Sequence, residues 1–182
     1  MAGIGKNQSG NRDFENRVLD CLDSLYFMAL TLTGRRQDAE DLAQETYRKA
    51  FDHSNQLRNI EKGRAWLYAI MVNTWKNWRT KGSRETSLED WEQDLDSDSN
   101  RDSYQADPEN ELMNKDVRSV VESGLKRLSS HYRMTVVLSD IEGFTYKEIS
   151  EITGWPIGTV MSRLSRARHL LAGYLIKYKG KI

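Results

Sequence analysis

An acidic segment without apolar periodicity divides this chain of 182 residues into two parts. From Glu85 to Glu111 there are eleven acidic residues and one basic residue, a net charge of −10. The whole chain is formally neutral, so the remainder carries +10. Clusters of serine, aspartate and asparagine without a repeating apolar position are typical of a linker. The sequence therefore predicts two basic domains joined by an acidic linker.

The two flanking parts have the apolar spacing of helices. In the first of them an apolar stripe recurs at helical intervals over 18–32. The chain holds only two prolines, and its β-branched residues rarely alternate with polar ones. We therefore expect an all-α protein. Its expected parts are a flexible N-terminus over 1–12, a first domain over 13–84, a flexible acidic linker over 85–106 and a second domain over 107–182.

Local signals set the expected helix ends. Gly34 should stop the first helix, because glycine readily adopts the left-handed conformation that follows a helix. Asp38 should cap the second helix, since its carboxylate can accept from unpaired backbone N–H groups. The expected helices run over about 14–33, 38–51, 63–81, 107–126, 129–142, 146–152 and 157–174.

Several classes of function lack their usual signals. Cys21 is the only cysteine, so the chain can form no internal disulfide and a reducing compartment is expected. The three histidines have no neighbour at metal-ligand spacing. No apolar run approaches the roughly 20 residues that span a bilayer, and the N-terminus lacks the apolar core of a signal peptide. We expect a cytoplasmic protein with no metal site, no cofactor and no membrane insertion.

The third helix and its preceding loop combine bases with aromatics. Residues 58–84 include seven basic residues and one acidic residue, a net charge of +6. Basic residues follow a phosphate backbone and aromatics stack on unpaired bases, so this composition suits melted DNA. Asn73 and Asn77 lie one turn apart on one face. The alternative, favoured for any single tryptophan, is that the ring belongs to the core. The aromatic residues concerned are Trp66, Tyr68, Trp75 and Trp78.

The C-terminal part carries the sharpest local signal. Thr145 followed three residues later by Glu148 is a capping box, so a short helix should start at Tyr146. It should end at Thr153-Gly154, and a new helix should begin near Pro156. Two helices separated by a tight turn with glycine form a helix-turn-helix.

The second helix of this pair has a polar and basic side. A helix fits the DNA major groove, where arginine reaches guanine edges and phosphates. Residues 145–182 carry a net charge of +5. The alternative is a solvated basic face. The side chains on the expected exposed side are Thr159, Ser162, Arg163, Ser165, Arg166, Arg168 and His169.

The acidic face from Asp38 to Glu45 is either a solvated helix end or a surface for a protein partner. No nucleophile with a base, no carboxylate pair and no phosphate-binding glycine loop stands out, so we do not expect an enzyme. Three classes of protein stay open on these features. They are a stand-alone helix-turn-helix regulator, a helical adaptor for acidic proteins and a nucleic-acid enzyme.

Taken together, two segments resemble the extracytoplasmic-function group of bacterial sigma factors. DAEDLAQETYRKAF at 38–51, followed by RAWLYAIMVNTWKNWRTK at 64–81, is similar to the family's region two. YRMTVVLSDIEGFTYKEISEITGWPIGTVMSRLSRARHLL at 132–171 resembles region four. Two domain signatures in this order are more specific than a lone helix-turn-helix. The resemblance implies an alternative sigma factor that binds core RNA polymerase, directs it to promoters through the −35 and −10 elements and assists promoter melting.

The resemblance also implies residue roles. The surface for the clamp of the largest polymerase subunit comprises Asp38, Asp41, Gln44 and Glu45. The residues implied for the −10 element, including the 56–60 loop that would capture a flipped base, are Gln56, Arg58, Asn59, Asn73, Lys76, Asn77 and Arg79. The residues implied for the −35 element are Ile157, Gly158, Thr159, Met161, Ser162, Arg163, Ser165 and Arg166.

Further partners are implied in the same way. They are the flap of the second-largest polymerase subunit, promoter DNA and an anti-sigma factor, which is often membrane-anchored. The acidic linker would thread polymerase channels otherwise used by RNA. Met161 stands where many members carry Lys or Arg, so the −35 sequence that this chain recognises does not follow from the resemblance.

Overall fold

The computed structural model describes residues 18–57, 59–82 and 117–176. Every regular element in these ranges is helical, which confirms the all-α prediction. The predicted N-terminal segment 1–12 and the predicted linker 85–106 lie outside the described residues. The α-helices of the described ranges are α1 (Leu22–Thr33), α2 (Arg36–Asp52), α3 (Gly63–Gly82), α4 (Val117–Lys126), α5 (Ser130–Val136), α6 (Tyr146–Thr153) and α7 (Ile157–Leu175).

At the turn between α1 and α2, the predicted end of α1 is confirmed and the predicted start of α2 is wrong. Gly34 has φ 72° and donates its N–H to Leu30 O at 2.8 Å, so glycine ends α1 as expected. The predicted N-cap Asp38 is wrong, because Arg35 is the extended residue and α2 begins at Arg36. Asp38 instead lies in the first turn, where its carboxylate suits the positive helix end and stands 3.7 Å from Arg35.

The N-terminal lobe, defined as α1 to α3, packs around side chains that are fully buried. Leu25 and Met28 of α1, Leu42 of α2, and Leu67 and Met71 of α3 have essentially no exposed surface. Short 3₁₀ turns at Ser54–Gln56 and Ile60–Lys62 connect α2 to α3.

The C-terminal lobe, defined as α4 to α7, contains a wide helical turn. Helix α5 passes directly into a π-helical turn at Val137–Ile141, and the Glu142 N–H donates to Val137 O at 2.9 Å. Gly143, with φ 72°, ends this stretch. The predicted helix over 129–142 is therefore helical from Ser130 to Ile141, with its last turn widened to a π-helical one.

The two lobes pack against each other. Helix α3 contacts α6, and α1 contacts α5, so the buried side chains of both lobes form one continuous cluster. The Tyr68 ring of α3 meets the Phe144 ring edge to face, with centroids 5.1 Å apart. The Arg133 guanidinium of α5 donates to the backbone oxygen of Thr31 in α1 at 2.5 Å. The division into two domains did not predict this direct packing.

Candidate nucleic-acid interface

The helix-turn-helix is built by local hydrogen bonds. Thr145 N–H donates to the Glu148 carboxylate at 2.8 Å, and Glu148 N–H donates to Thr145 Oγ1 at 3.3 Å. The Thr145 hydroxyl also donates to this carboxylate at 2.7 Å, and this bond, followed by the one from the backbone N–H, holds the pKa of Glu148 below its usual value. Gly154, with φ 74°, ends α6, and α7 begins directly after Pro156. The predicted capping box, glycine turn and second helix are confirmed.

Helix α7 presents a face of small, hydroxyl, apolar and basic side chains. Thr159 is half-buried, and most of the other residues predicted for the −35 element are exposed. These exposed residues are Ile157, Gly158, Met161, Ser162, Ser165 and Arg166.

Arg163 is the exception on this helix. Its expected exposed position is wrong, because only 6% of the residue is accessible. Its guanidinium carbon lies 4.1 Å from the ring centroid of Trp155, the residue in the turn before α7. The helical periodicity placed Arg163 on the exposed side, but its guanidinium lies over the Trp155 ring and not in solvent.

A cluster of cations and rings fills this part of the contact between the lobes. Lys76 of α3 donates to the backbone oxygen of Thr153 and lies 5.7 Å from the Trp155 ring centroid. The His131 ring packs beside two tryptophan rings, with its centroid 5.5 Å from that of Trp155 and 6.4 Å from that of Trp75.

Burial and charge act together on the ionisable groups of this cluster. Burial, reinforced by the charges of Arg163, Arg79 and Lys76, lowers the pKa of His131 to about 3. Burial, followed by repulsion from Arg163, also lowers the pKa of Lys76. His131 is therefore neutral at physiological pH, which avoids a further positive charge among these cations.

The other residues predicted for the −10 element divide into two groups. Asn73 and Asn77 are exposed on α3, and Gln56 and Asn59 are exposed in the preceding loop. Arg79 is also exposed, but it donates to Ser130 Oγ of the other lobe at 2.9 Å and lies over the Trp75 ring. Arg58 lies outside the described residues.

The aromatics of α3 serve mainly as core. Tyr68 is fully buried and Trp75 is 4% exposed, so the predicted stacking role is wrong for these two rings as they are packed here. Trp66 and Trp78 are partly buried against the same core. Core packing was the alternative that the composition favoured for any single ring.

The acidic face of α2 is accessible. Asp41 and Gln44 are exposed, while Asp38 and Glu45 are partly buried. Arg48 contacts Glu45 through two hydrogen bonds of 2.9 and 3.0 Å and, with Lys49, lowers the pKa of that carboxyl to about 2. The Glu45 carboxylate therefore keeps its negative charge over the physiological pH range.

Sequence analysis missed the polar contacts that join distant segments. Arg64 at the start of α3 contacts the Glu142 carboxylate at 2.5 Å and its backbone oxygen at 2.7 Å. The Arg64 guanidinium also lies 4.6 Å from the Phe144 ring centroid. Within the C-terminal lobe, Arg168 pairs with Asp140 at 2.5 Å. Nothing local in the sequence marks such partners.

In the described part of the chain, no group of three or more His, Cys, Asp or Glu residues is placed to hold a metal ion. None of the helices there is long and apolar enough to cross a membrane. Cys21 is buried and takes part in no disulfide.

An exposed polar helix after a capped turn, joined in one chain to a second helical lobe with exposed amide side chains, defines a two-lobed DNA-binding protein. Comparison with known families is consistent with this class. The family model described as Sigma-70 region 2 matches residues 18–85, and the one described as Sigma-70, region 4 matches residues 118–171.

Relatives of known family and a solved structure align with most of this chain. The ECF RNA polymerase sigma-E factor of Haemophilus influenzae is 29% identical over 174 residues, 94% of this chain and 92% of that protein. Its counterpart in Escherichia coli K12 is 32% identical over 139 residues, 74% of this chain and 72% of that protein. The sigma factor RpoE of Bartonella quintana, solved in complex with the anti-sigma factor NepR, aligns with a TM-score of 0.68 at 30% identity, covering 90% of this chain and 97% of that one.

The chain therefore belongs to the extracytoplasmic-function RNA polymerase sigma factors. It is an alternative sigma factor, a subunit that directs RNA polymerase to promoters. Members of this family regulate transcription and are not catalysts.

Proposed function

We propose that this sigma factor binds core polymerase through α2, holds the −10 element on α3 and its preceding loop, and recognises the −35 duplex with α7. The exposed face of α7 carries the proposal. It begins directly after a capped helix and a tight turn, and it combines hydroxyl groups with an exposed arginine. The major groove of B-DNA admits such a helix, whose first turns face the base edges.

The acidic face of α2 supports the polymerase contact. The ion pairs of Glu45 keep that carboxylate ionised, and Asp41 and Gln44 are exposed and available to a partner. A basic coiled-coil surface such as the clamp of the largest subunit would complement this charge. We assign the second contact, to the flap of the second-largest subunit, to the C-terminal lobe.

Exposed amides support the −10 contact. Asn73 and Asn77 face solvent from one side of α3, and Gln56 and Asn59 lie in the loop before it. Each amide offers both donors and an acceptor, so it can bind the edge of a base that has left its pair. Arg79 would add a phosphate contact once it leaves Ser130.

Promoter binding requires the lobes to separate. Lys76 and Arg163 are both turned into the contact between the lobes, so neither reaches DNA in this conformation. Separation exposes both cations and the Trp155 ring between them. A partner that binds the packed lobes more tightly than the separated ones shifts the equilibrium towards the packed form. We propose that an anti-sigma factor acts on this chain in that way, as the complex of the Bartonella relative suggests.

A reconstituted transcription assay tests the assignment. Core polymerase with this protein should initiate on a cellular promoter, and scrambling either the −35 or the −10 element should abolish the transcript. Duplex binding by the protein alone, without initiation on any cellular promoter, would instead favour a stand-alone helix-turn-helix regulator.

The α2 surface has its own test. Replacing Asp38 and Asp41 by Lys should reduce co-elution with core polymerase in the absence of DNA. Asp23→Lys with Glu61→Lys makes the same charge change at exposed positions of the N-terminal lobe outside α2 and should leave co-elution unchanged. Equal behaviour of the two double variants would refute the α2 assignment.

A further inference from the structure

The first turns of α7 expose apolar side chains where a DNA-binding helix faces the bases. Ile157 and Met161 are 50% and 52% exposed and lie one turn apart. Residues 157–162, the first turn and a half of α7, contain no Lys or Arg whether the lobes are packed or separated. The arginines of the helix come only after this stretch, at Arg163, Arg166 and Arg168. The leading end of α7 therefore lacks the bidentate donor that binds guanine O6 and N7.

The hydroxyl of Ser162, next to Met161, further limits which bases this part of α7 can bind. Ser162 Oγ donates its hydrogen to the backbone oxygen of Thr159 at 3.1 Å. Its remaining lone pairs are acceptors, which suit the amino groups of adenine or cytosine and not the acceptor edge of guanine. Among base pairs, only A·T and T·A present a methyl group in the major groove. An apolar side chain beside an acceptor hydroxyl therefore matches an A·T pair.

We infer that Met161, supported by Ile157, contacts the C5-methyl group of a thymine in the −35 element and sets base specificity there. The inference rests on the proposed function of α7 as the −35-binding helix. A flexible, polarisable thioether fills an irregular apolar contact well, and Met161 is free to bend because no packed core surrounds it.

Replacing thymidine by deoxyuridine in the promoter tests the contribution of the thymine methyl group alone. A −35 element selected from a randomised library by the wild-type holoenzyme is rebuilt with deoxyuridine in place of each thymine, one position at a time. This change removes one methyl and keeps every hydrogen-bonding group of the base. Initiation by wild-type holoenzyme should fall about four-fold at one position, the effect of losing one buried methyl. Initiation by the Met161→Ala holoenzyme should be unaffected by deoxyuridine at that position.

A matched variant controls for changes in α7 itself. Leu170→Ala removes an equally exposed apolar side chain from the same helix, beyond its DNA-facing turns. It should keep the wild-type sensitivity to deoxyuridine. In a second library selection, Met161→Arg should shift the preferred base at that position towards guanine.

The outcomes separate this inference from the function on which it rests. Wild-type initiation that depends on the −35 element but tolerates deoxyuridine everywhere overturns the inference and leaves the proposed function standing. A selected element without thymine on either strand, or a Met161→Ala holoenzyme that keeps the sensitivity, also overturns it. Initiation that ignores the −35 element overturns both.

Discussion

Two arginines of α7 stand two residues apart and have different surroundings. Arg168 contacts the Asp140 carboxylate at 2.5 and 3.0 Å, whereas Arg166 is exposed on the proposed DNA-binding face. We expect Arg166→Ala to weaken −35-dependent initiation about ten-fold, the loss of one base or phosphate contact. Run-off transcription on templates with intact and scrambled −35 elements measures this loss of initiation.

Arg168→Ala is the control for this prediction. It removes a partly exposed ion pair, which typically contributes less than about 1 kcal/mol to stability. Its effect on initiation should be small and the same on both templates. An Arg166→Ala defect that persists equally on the scrambled template would contradict the assignment.

His131 gives the molecule a specific response to acid. Its folded-state pKa of about 3 lies below the ordinary value of 6.5, so the unfolded chain takes up a proton first as the pH falls. The stability contributed by neutral His131 is fully present above about pH 6.5 and is lost towards pH 3. Between pH 7.5 and 5.5 the free energy of unfolding should fall by about 1.4 kcal/mol from this group alone.

Urea unfolding followed by tryptophan fluorescence at both pH values tests the assignment, because Trp75 and Trp155 flank the histidine. Carboxylates also titrate in this range, so the wild type is compared with His131→Phe, which has no ionisable ring. The variant should lose about 1.4 kcal/mol less than the wild type on acidification. Equal losses would show that His131 does not titrate as described.

At the scale of elements, α6 depends on its N-terminal cap. A helix of eight residues is too short to be stable alone in water. Removing the cap with Thr145→Ala should lower the free energy of unfolding by about 1 kcal/mol. Urea denaturation measures this, and Lys147→Ala, an exposed change in the same first turn, should have little effect. A Thr145→Ala protein as stable as Lys147→Ala would mean that packing alone fixes α6.

Local chemistry also explains which helix ends could be predicted. The capping box at Thr145 and the glycine at 154 act within a few residues, so the sequence alone located α6 and the start of α7. The start of α2 was missed because Arg35 adopts the extended conformation, three residues before the better capping residue Asp38. The π-helical turn before Glu142 has no local sequence signature, so it was not predicted.

At the scale of the whole molecule, the contact between the lobes lay beyond sequence analysis. Its partners are far apart in the chain: 78 residues separate Arg64 from Glu142, and 102 separate Arg133 from Thr31. Helical periodicity assigns a buried side to each helix but does not tell which other helix covers it. Arg163 shows the consequence, because its position on α7 predicted exposure, whereas it is buried over the Trp155 ring, which Lys76 of the other lobe also approaches.

Opening of the lobes should be controlled by the pair of Arg64 and Glu142. The Glu142 side chain is 5% exposed and that of Arg64 is 40% exposed, so the pair is partly desolvated. Arg64→Glu sets two carboxylates against each other and should favour the open form by about 1–3 kcal/mol, less than for a fully buried pair. The Glu142→Arg change alone should open the lobes similarly. Combining the two exchanges the charges and should restore the closed form.

Small-angle X-ray scattering of the free protein measures the opening. Either single variant should have a larger radius of gyration than the wild type, and the double variant should return towards the wild-type value. Lys62→Glu, an exposed charge reversal two residues before Arg64, should leave the radius unchanged. A double variant as expanded as the single ones would mean that the charge pair does not hold the lobes. Restoration in the double variant, with no change from Lys62→Glu, would place control of opening in this pair, outside the residues assigned to DNA.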